Sequence, residues 1–201
     1  MKVKILFFLI LITAVGYSSA QSFKGGVLGG ISATEISGDR LAGPNKAGIY
    51  AGAFVKLDLS AKSTLQMEIN YVQKGSRDNP DTSNPDSYLL RISYIEIPFQ
   101  YIYHFHPLMA AEAGLSYGVL IHKYEEANGY EIDIVNPAFK KGDLSINIGF
   151  YYSLTDHLRF NLRYSNSLLY VRPHGSGATY RLNKGQYNSV LSFLLFYQLN
   201  I

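Results

Sequence analysis

From Asp143 to Leu154 the chain alternates without a break: Leu144, Ile146, Ile148, Phe150, Tyr152 and Leu154 fall on one side, and Asp143, Ser145, Asn147, Gly149, Tyr151 and Ser153 on the other. A period of two sends successive side chains to opposite faces of a strand, so this segment predicts a strand with one apolar face and one polar face. The pattern recurs. Leu158, Phe160, Leu162 and Tyr164 oppose Arg159, Asn161, Arg163 and Ser165, and Leu65, Met67, Ile69 and Tyr71 oppose Gln66, Glu68 and Asn70. Ala111, Ala113, Leu115, Tyr117, Val119 and Ile121 oppose Glu112, Gly114, Ser116 and Gly118, and Ile95, Ile97, Phe99, Tyr101, Tyr103 and Phe105 alternate with Glu96, Pro98, Gln100 and His104. A last segment alternates from Leu191 to Ile201, with Leu194 and Phe196 on its otherwise polar face. Two Gly- and Ala-rich segments, Phe23 to Thr34 and Lys46 to Leu57, alternate less cleanly; Val27, Ile31, Ile49, Ala51, Ala53, Val55 and Leu57 are assigned to the outer face and Lys24, Lys56 and Asp58 to the inner one.

The connections carry a second regularity. Three are tight, near Leu59 to Lys62, His104 to Pro107 and Thr155 to His157; four are long and rich in Gly, Pro, Asn, Asp and Ser, near Glu35 to Asn45, Gly75 to Ser87, Lys123 to Lys140 and Arg172 to Gln186. Alternating short and long connections between ten-residue dyad segments is the signature of a transmembrane barrel. The expected fold is all-β: an eight-stranded antiparallel up-and-down transmembrane β-barrel, its short turns in the periplasm with both termini and its long loops outside. A soluble lipocalin-like barrel would turn its apolar faces inward, and the Glu and Arg residues on the polar faces argue against it. Pro98 interrupts a strand by removing a ladder donor, so a bulge or local break is expected there.

The first residues and the composition fit this reading. Lys2 and Lys4 precede an apolar run from Ile5 to Val15, with Ser18 and Ala20 as small residues before Gln21, which predicts a cleaved signal peptide over 1–20 and a barrel domain over 21–201. The apolar run is shorter than the roughly 20 residues a spanning helix needs, and no later run is long enough. A membrane-spanning chain must then close a barrel, the other structure that satisfies its backbone in hydrocarbon. There is no Cys, hence no disulfide and no Cys-linked lipid anchor. Lys2 and Lys4 are the charged residues of 1–20, so their removal lowers the formal net charge from +3 to +1, and no basic face points to nucleic acid. The 17 Tyr and 11 Phe favour strands, and those at strand ends supply interface girdles.

An eight-stranded barrel leaves an interior only wide enough for side chains or one small ligand. Eight charges are assigned to it: Lys56, Arg91, Arg159 and Arg163 against Glu68, Glu96, Glu112 and Asp143. They are expected to pair across the lumen, because an unpaired buried charge is costly; the network either plugs the barrel or lines a narrow polar path. No catalytic centre is expected. The five histidines, His104, His106, His122, His157 and His174, accompany no G-x-S-x-G elbow or H-E-x-x-H helix, although Ser165, Ser167 and His174 would be the residues of an outer-leaflet hydrolase. His104 and His106 are read as polar turn residues, and Asp78, Asp81 and Asp86 lack the spacing and glycine of a calcium loop. Neither metal nor cofactor is expected.

Several segments resemble the PorT-like outer-membrane β-barrel proteins, also called porin family. Tyr94-Ile95-Glu96-Ile97-Pro98-Phe99-Gln100-Tyr101 is similar to the family's Tyr-x-Glu-x-Pro strand, and Glu68 to Gly75 to the preceding strand and its exit. Gly29 to Ser32, Ala113 to Gly118, Asp143 to Gly149 and Arg163 to Ser165 match other strands, so the resemblance covers nearly all of 21–201. It implies an eight-stranded barrel in the outer membrane of a Gram-negative bacterium, makes Pro98 a family feature, and supplies no catalytic residues. A founding member is associated with protein secretion and gliding, but the ending Leu199-Asn200-Ile201 departs from the usual terminal aromatic. The expected role is a structural or loop-mediated interaction barrel; the alternative is an accessory component of an outer-membrane transport or protein-secretion complex, or a narrow channel. Expected partners are outer-membrane lipid, the barrel-insertion machinery during assembly, and an envelope or secretion-complex protein.

Overall fold

The computed structural model describes residues 23–39, 41, 43–80, 82, 85–132, 137–173 and 185–199; the expected leader, Asp81 and His174 lie outside them. The strands are β1 (Phe23–Ser37), β2 (Lys46–Ser60), β3 (Ser63–Asp78), β4 (Tyr88–His106), β5 (Met109–Ala127), β6 (Tyr130–Glu131), β7 (Gly142–Ser153), β8 (Leu158–Ser167) and β9 (Tyr187–Gln198). Each long strand pairs antiparallel with the next, and β1 pairs with β9 from Gly26↔Gln198 to Ser37↔Tyr187, which closes an eight-stranded barrel. The two-residue β6 is a spur: it folds back on β5 through Asn128 and Gly129. Both of these have positive φ, 53° and 79°, as an Asn-Gly hairpin turn requires.

The dyad pattern is realised with its apolar side outward. Ile31, Ile69, Ile97, Tyr117, Ile148 and Phe193 stand exposed in a continuous belt, Ile31 at 63 % and Ile148 at 55 %. The other face holds a mixed interior. At the end of the barrel with the short turns, Leu28, Phe54, Ile102, Tyr151, Leu194 and Phe196 pack into an apolar cluster; at the loop end Ile36, Leu90, Ile92 and Tyr94 form a second, with Tyr88, Leu120 and Phe139 against it. Leu194 and Phe196 thus break the polar pattern of their strand because they fill the lumen. Polar residues, among them Asn70, Gln100, Asn147, Asn161 and Ser192, occupy the middle.

One expectation about the strands is corrected. Long loops start later than the sequence pattern suggested, because Glu35–Ser37, Gly75–Asp78 and Lys123–Ala127 continue as strand. Ladder bonds propagate wherever a partner strand is present, whether or not the outer face stays apolar. At Pro98 the expected interruption is a local break and not a bulge: the β3–β4 ladder keeps its register from Met67↔Phe99 to Asn70↔Glu96 and lacks the two pairs between, while Pro98 pairs with Ser116 on its other side. Proline has no N–H to give to β3. The register shift lies instead between Ser93 and Tyr94, which pair with His122 and Leu120. The extra residue leaves Ile121 and His122 both exposed and reverses the facing of β5 beyond them, so that Glu125 is buried.

Candidate functional site in the barrel lumen

Arg163 projects from β8 and is fully buried. Its Nη1 and Nη2 donate to Glu68 Oε2 and Oε1 at 2.9 and 2.8 Å, and its Nε and Nη2 donate to Glu112 Oε1 and Oε2 at 2.7 and 2.9 Å. In the ring of strands β3 and β8 are diametrically opposed, so this forked contact ties opposite walls together. Neutral groups complete the carboxylates: Gln66 Nε2 and Asn70 Nδ2 donate to Glu68, and Asn161 Nδ2 donates to Glu112. Arg163 Nη1 also donates to Tyr50 OH at 3.2 Å. Paired two-point bonds from one guanidinium to two carboxylates suit the planar fork of arginine and would be lost with lysine.

A second cluster lies nearer the loops. Lys74 of β3 pairs with Glu96 of β4 and with Asp143 of β7, the latter at 2.9 Å, and Asn188 Nδ2 donates to Asp143 Oδ2 at 2.7 Å. Ser145 Oγ donates to Asp143 Oδ1 at 3.1 Å. Nearer the turn end, Arg159 meets aromatic faces and no carboxylate among the described residues: its guanidinium carbon lies 4.9 Å from the Tyr151 ring centre and 5.9 Å from those of Phe54 and Phe196. At the loop end Arg172 Nη1 donates to Glu125 Oε1 at 3.2 Å and its Nε to Pro137 O at 2.9 Å, while Tyr88 OH donates to the same Glu125 oxygen at 2.7 Å.

Glycines make room for these groups. Gly52 pairs with Asn70, Gly114 with Gln100, Gly118 with Glu96 and Gly149 with Glu112 across the ladders. A Cβ at Gly52, Gly114 or Gly149 would come within 2.1 to 2.3 Å of the facing side-chain oxygen. The missing side chain on one strand is the space that its neighbour's polar side chain occupies.

Of the eight charges assigned to the lumen, Glu68, Glu96, Glu112, Asp143, Arg159 and Arg163 are buried within it. Lys56 stands half-buried at the turn-end mouth. Arg91 is a correction: it is exposed, on the outer side of β4 beside Tyr124, because the inner residues of that strand are the even-numbered ones. Lys74, Glu125 and Arg172 complete the ion pairs and were not assigned from sequence. Lys74 was within reach, since it continues the series Gln66, Glu68, Asn70; Glu125 was not, since the bulge reverses its facing. Ser165 and Ser167 are buried, and Ser167 Oγ accepts from Asn188 N. His106 Nδ1 accepts from Leu108 N inside its turn, and His104 meets Thr64 at 3.1 Å. Among the described residues no group of three or more His, Cys, Asp or Glu side chains is placed to hold a metal.

The arrangement is a closed barrel with an apolar exterior and an ion-paired interior. Its backbone matches Neisserial surface protein A with a TM-score of 0.50 at 11 % identity, over 88 % of this chain and 97 % of that one. It also overlays on Ail, the attachment invasion locus protein of Yersinia pestis solved with the heparin analogue sucrose octasulfate, with a TM-score of 0.49 at 6 % identity, over 89 % and 99 % of the two chains. No protein of curated function matches the chain in sequence. The family model for the outer membrane protein beta-barrel domain matches residues 19–169, and the chain belongs to that family.

Proposed function

We propose that this chain is a small non-enzymatic outer-membrane barrel with a sealed polar core, whose loop end carries a structural or interaction role. One observation carries the reading: Arg163 reaches from β8 across the full width of the lumen to Glu68 on β3 and also holds Glu112 on β5, between apolar clusters at both ends. Side chains that satisfy one another across the bore leave little for a solute to follow. In this reading the leader over 1–20 directs export and is removed, the belt around Ile31 and Ile148 contacts lipid, the insertion machinery assembles the barrel, and the termini and short turns face the periplasm. Interaction with an envelope or surface partner then falls to the loops, where sequence is least constrained by the barrel.

The test is conductance of the refolded full chain in planar lipid bilayers. Silence at neutral pH is the expected result. Discrete ion-selective steps would overturn the sealed core and favour the narrow channel, while co-purification with a stable set of envelope proteins from crosslinked membranes would favour the accessory role in a transport or secretion complex. Orientation is tested separately: the chain has no Cys, so single cysteines at Asn128 and Ala61 report which end an impermeant thiol reagent reaches on intact cells. Labelling of Asn128→Cys alone is expected.

A further inference from the structure

Beyond this reading, we propose that the turn-end mouth of the barrel binds a phosphate group. An open cavity of about 630 Å³ lies there, lined by Lys56, Asp58, Lys62, Thr64, His104 and Phe105 among others. Its charge is unbalanced. Asp58, the acid of the lining, is already engaged by Lys24 Nζ and by Thr64 Oγ1, each at 2.7 Å. Lys56 and Lys62 have no carboxylate partner among the described residues, and neither does Arg159, which lies close enough below for its charge to act on both Lys56 and His104. Arg159 is 8 % exposed, and its polar bond within the lumen is a 3.5 Å contact from Nη2 to Gln66 Oε1.

Like charges held this close in a partly desolvated mouth repel one another, and an anion among them relieves the repulsion. The donor set is the two ammonium groups and the Ser60 hydroxyl, from β2 and the turn that follows it, because Thr64 Oγ1 already donates to Asp58 and His104 Nε2 meets Thr64. That set suits a tetrahedral oxyanion with several acceptor oxygens, for which lysine serves as a point charge. The cavity exceeds a bare phosphate, so the group belongs to a larger molecule. Phe105 lines the cavity, is exposed and contacts Phe150 at 6.2 Å on the belt; an apolar way out beside the charged pocket fits a lipid headgroup, though a soluble phosphate ester shares its chemistry.

The experiment uses the full chain in maltoside micelles, which contain no phosphate, and follows the amide resonances of Thr64 and His104. Glycerol 3-phosphate is titrated in one series and short-chain phosphatidylglycerol in another, each against equal ionic strength of sodium chloride. Saturable shifts are expected that chloride does not reproduce, weakened about tenfold or more by Lys56→Gln with Lys62→Gln, since hydrogen bonds to charged groups are removed. The same shifts should survive Lys140→Gln with Lys141→Gln at the other end, and Asp58→Asn should tighten binding. Saturation by the lipid at far lower concentration assigns the site to a headgroup; equal saturation by glycerol 3-phosphate supports the site with a soluble source. Shifts that never saturate, or that persist unchanged in the Lys56 and Lys62 variant, overturn the proposal.

Discussion

Gly149 and Glu112 face each other across the β5–β7 ladder, and a methyl group on Gly149 would lie 2.3 Å from Glu112 Oε1 and 2.7 Å from the Leu162 carbonyl oxygen. Glu112 cannot retreat without leaving Arg163, and the carbonyl is backbone. Gly149→Ala is therefore expected to destabilise the barrel by about 1–3 kcal/mol, the usual range for overpacking. Gly29 is the control, since a methyl group there would have its nearest neighbour, the Tyr50 carbonyl oxygen, 3.9 Å away, so Gly29→Ala should shift little. Denaturant unfolding in detergent, followed by the gel shift between folded and heated protein, separates the two.

Removing Arg163 alone leaves two buried carboxylates facing one another. Arg163→Met is expected to cost about 3–5 kcal/mol, the range for breaking a buried pair from one side. Adding Glu68→Gln and Glu112→Gln to it removes the stranded charges, and most of the loss should return. A triple variant no more stable than the single one would show that the ion pairs themselves, and not the penalty of breaking them, hold the lumen.

Arg172 joins two loop segments to the barrel through Glu125 and the Pro137 carbonyl. Its contacts lie outside the central network, so Arg172→Ala should leave the global unfolding midpoint nearly unchanged. Local opening should rise instead. Hydrogen exchange at Phe139 and Glu125 is expected to quicken, while exchange at Asn161 and Asn147 stays slow.

Asp39 follows β1 in the first loop; its Oδ1 accepts from Leu41 N at 2.9 Å and its Oδ2 is buried. Burial, outweighing its hydrogen bonds, raises its carboxyl above the ordinary value. With the folded value above the unfolded one, the loop binds the proton more tightly when folded, so its contribution is favourable on the acid side and is lost as pH rises between the two values. Protection of the Leu41 amide should fall across that interval, and Asp39→Asn should flatten the dependence.

Facing was the legible part of this chain. A period of two needs no tertiary information, and residues such as Ile148 and Arg163 were placed on their faces by counting alone. The same count, extended past Asn70, puts Lys74 inward although it was not assigned there, and Asn128-Gly129 is a hairpin signal inside a segment read as loop. Glu125 was not legible, because the extra residue at Ile121 and His122 reverses all facing beyond it and no local signal marks that bulge. Nor was the pairing of charges: which carboxylate meets Arg163 depends on the stagger of strands that are opposed in space but distant in sequence. Arg91 shows the hazard in the other direction, a charge assigned inward for its type when its position in the strand turned it out.

The contact between β3 and β8 also depends on register. A barrel closed with β8 displaced by two residues along its neighbours would keep every side chain on the proper face yet set Asn161 or Ser165 where Arg163 belongs. Apolar patterning is blind to that error. In the native register the guanidinium meets Glu68 and Glu112 together, and that distinguishes it from those near copies.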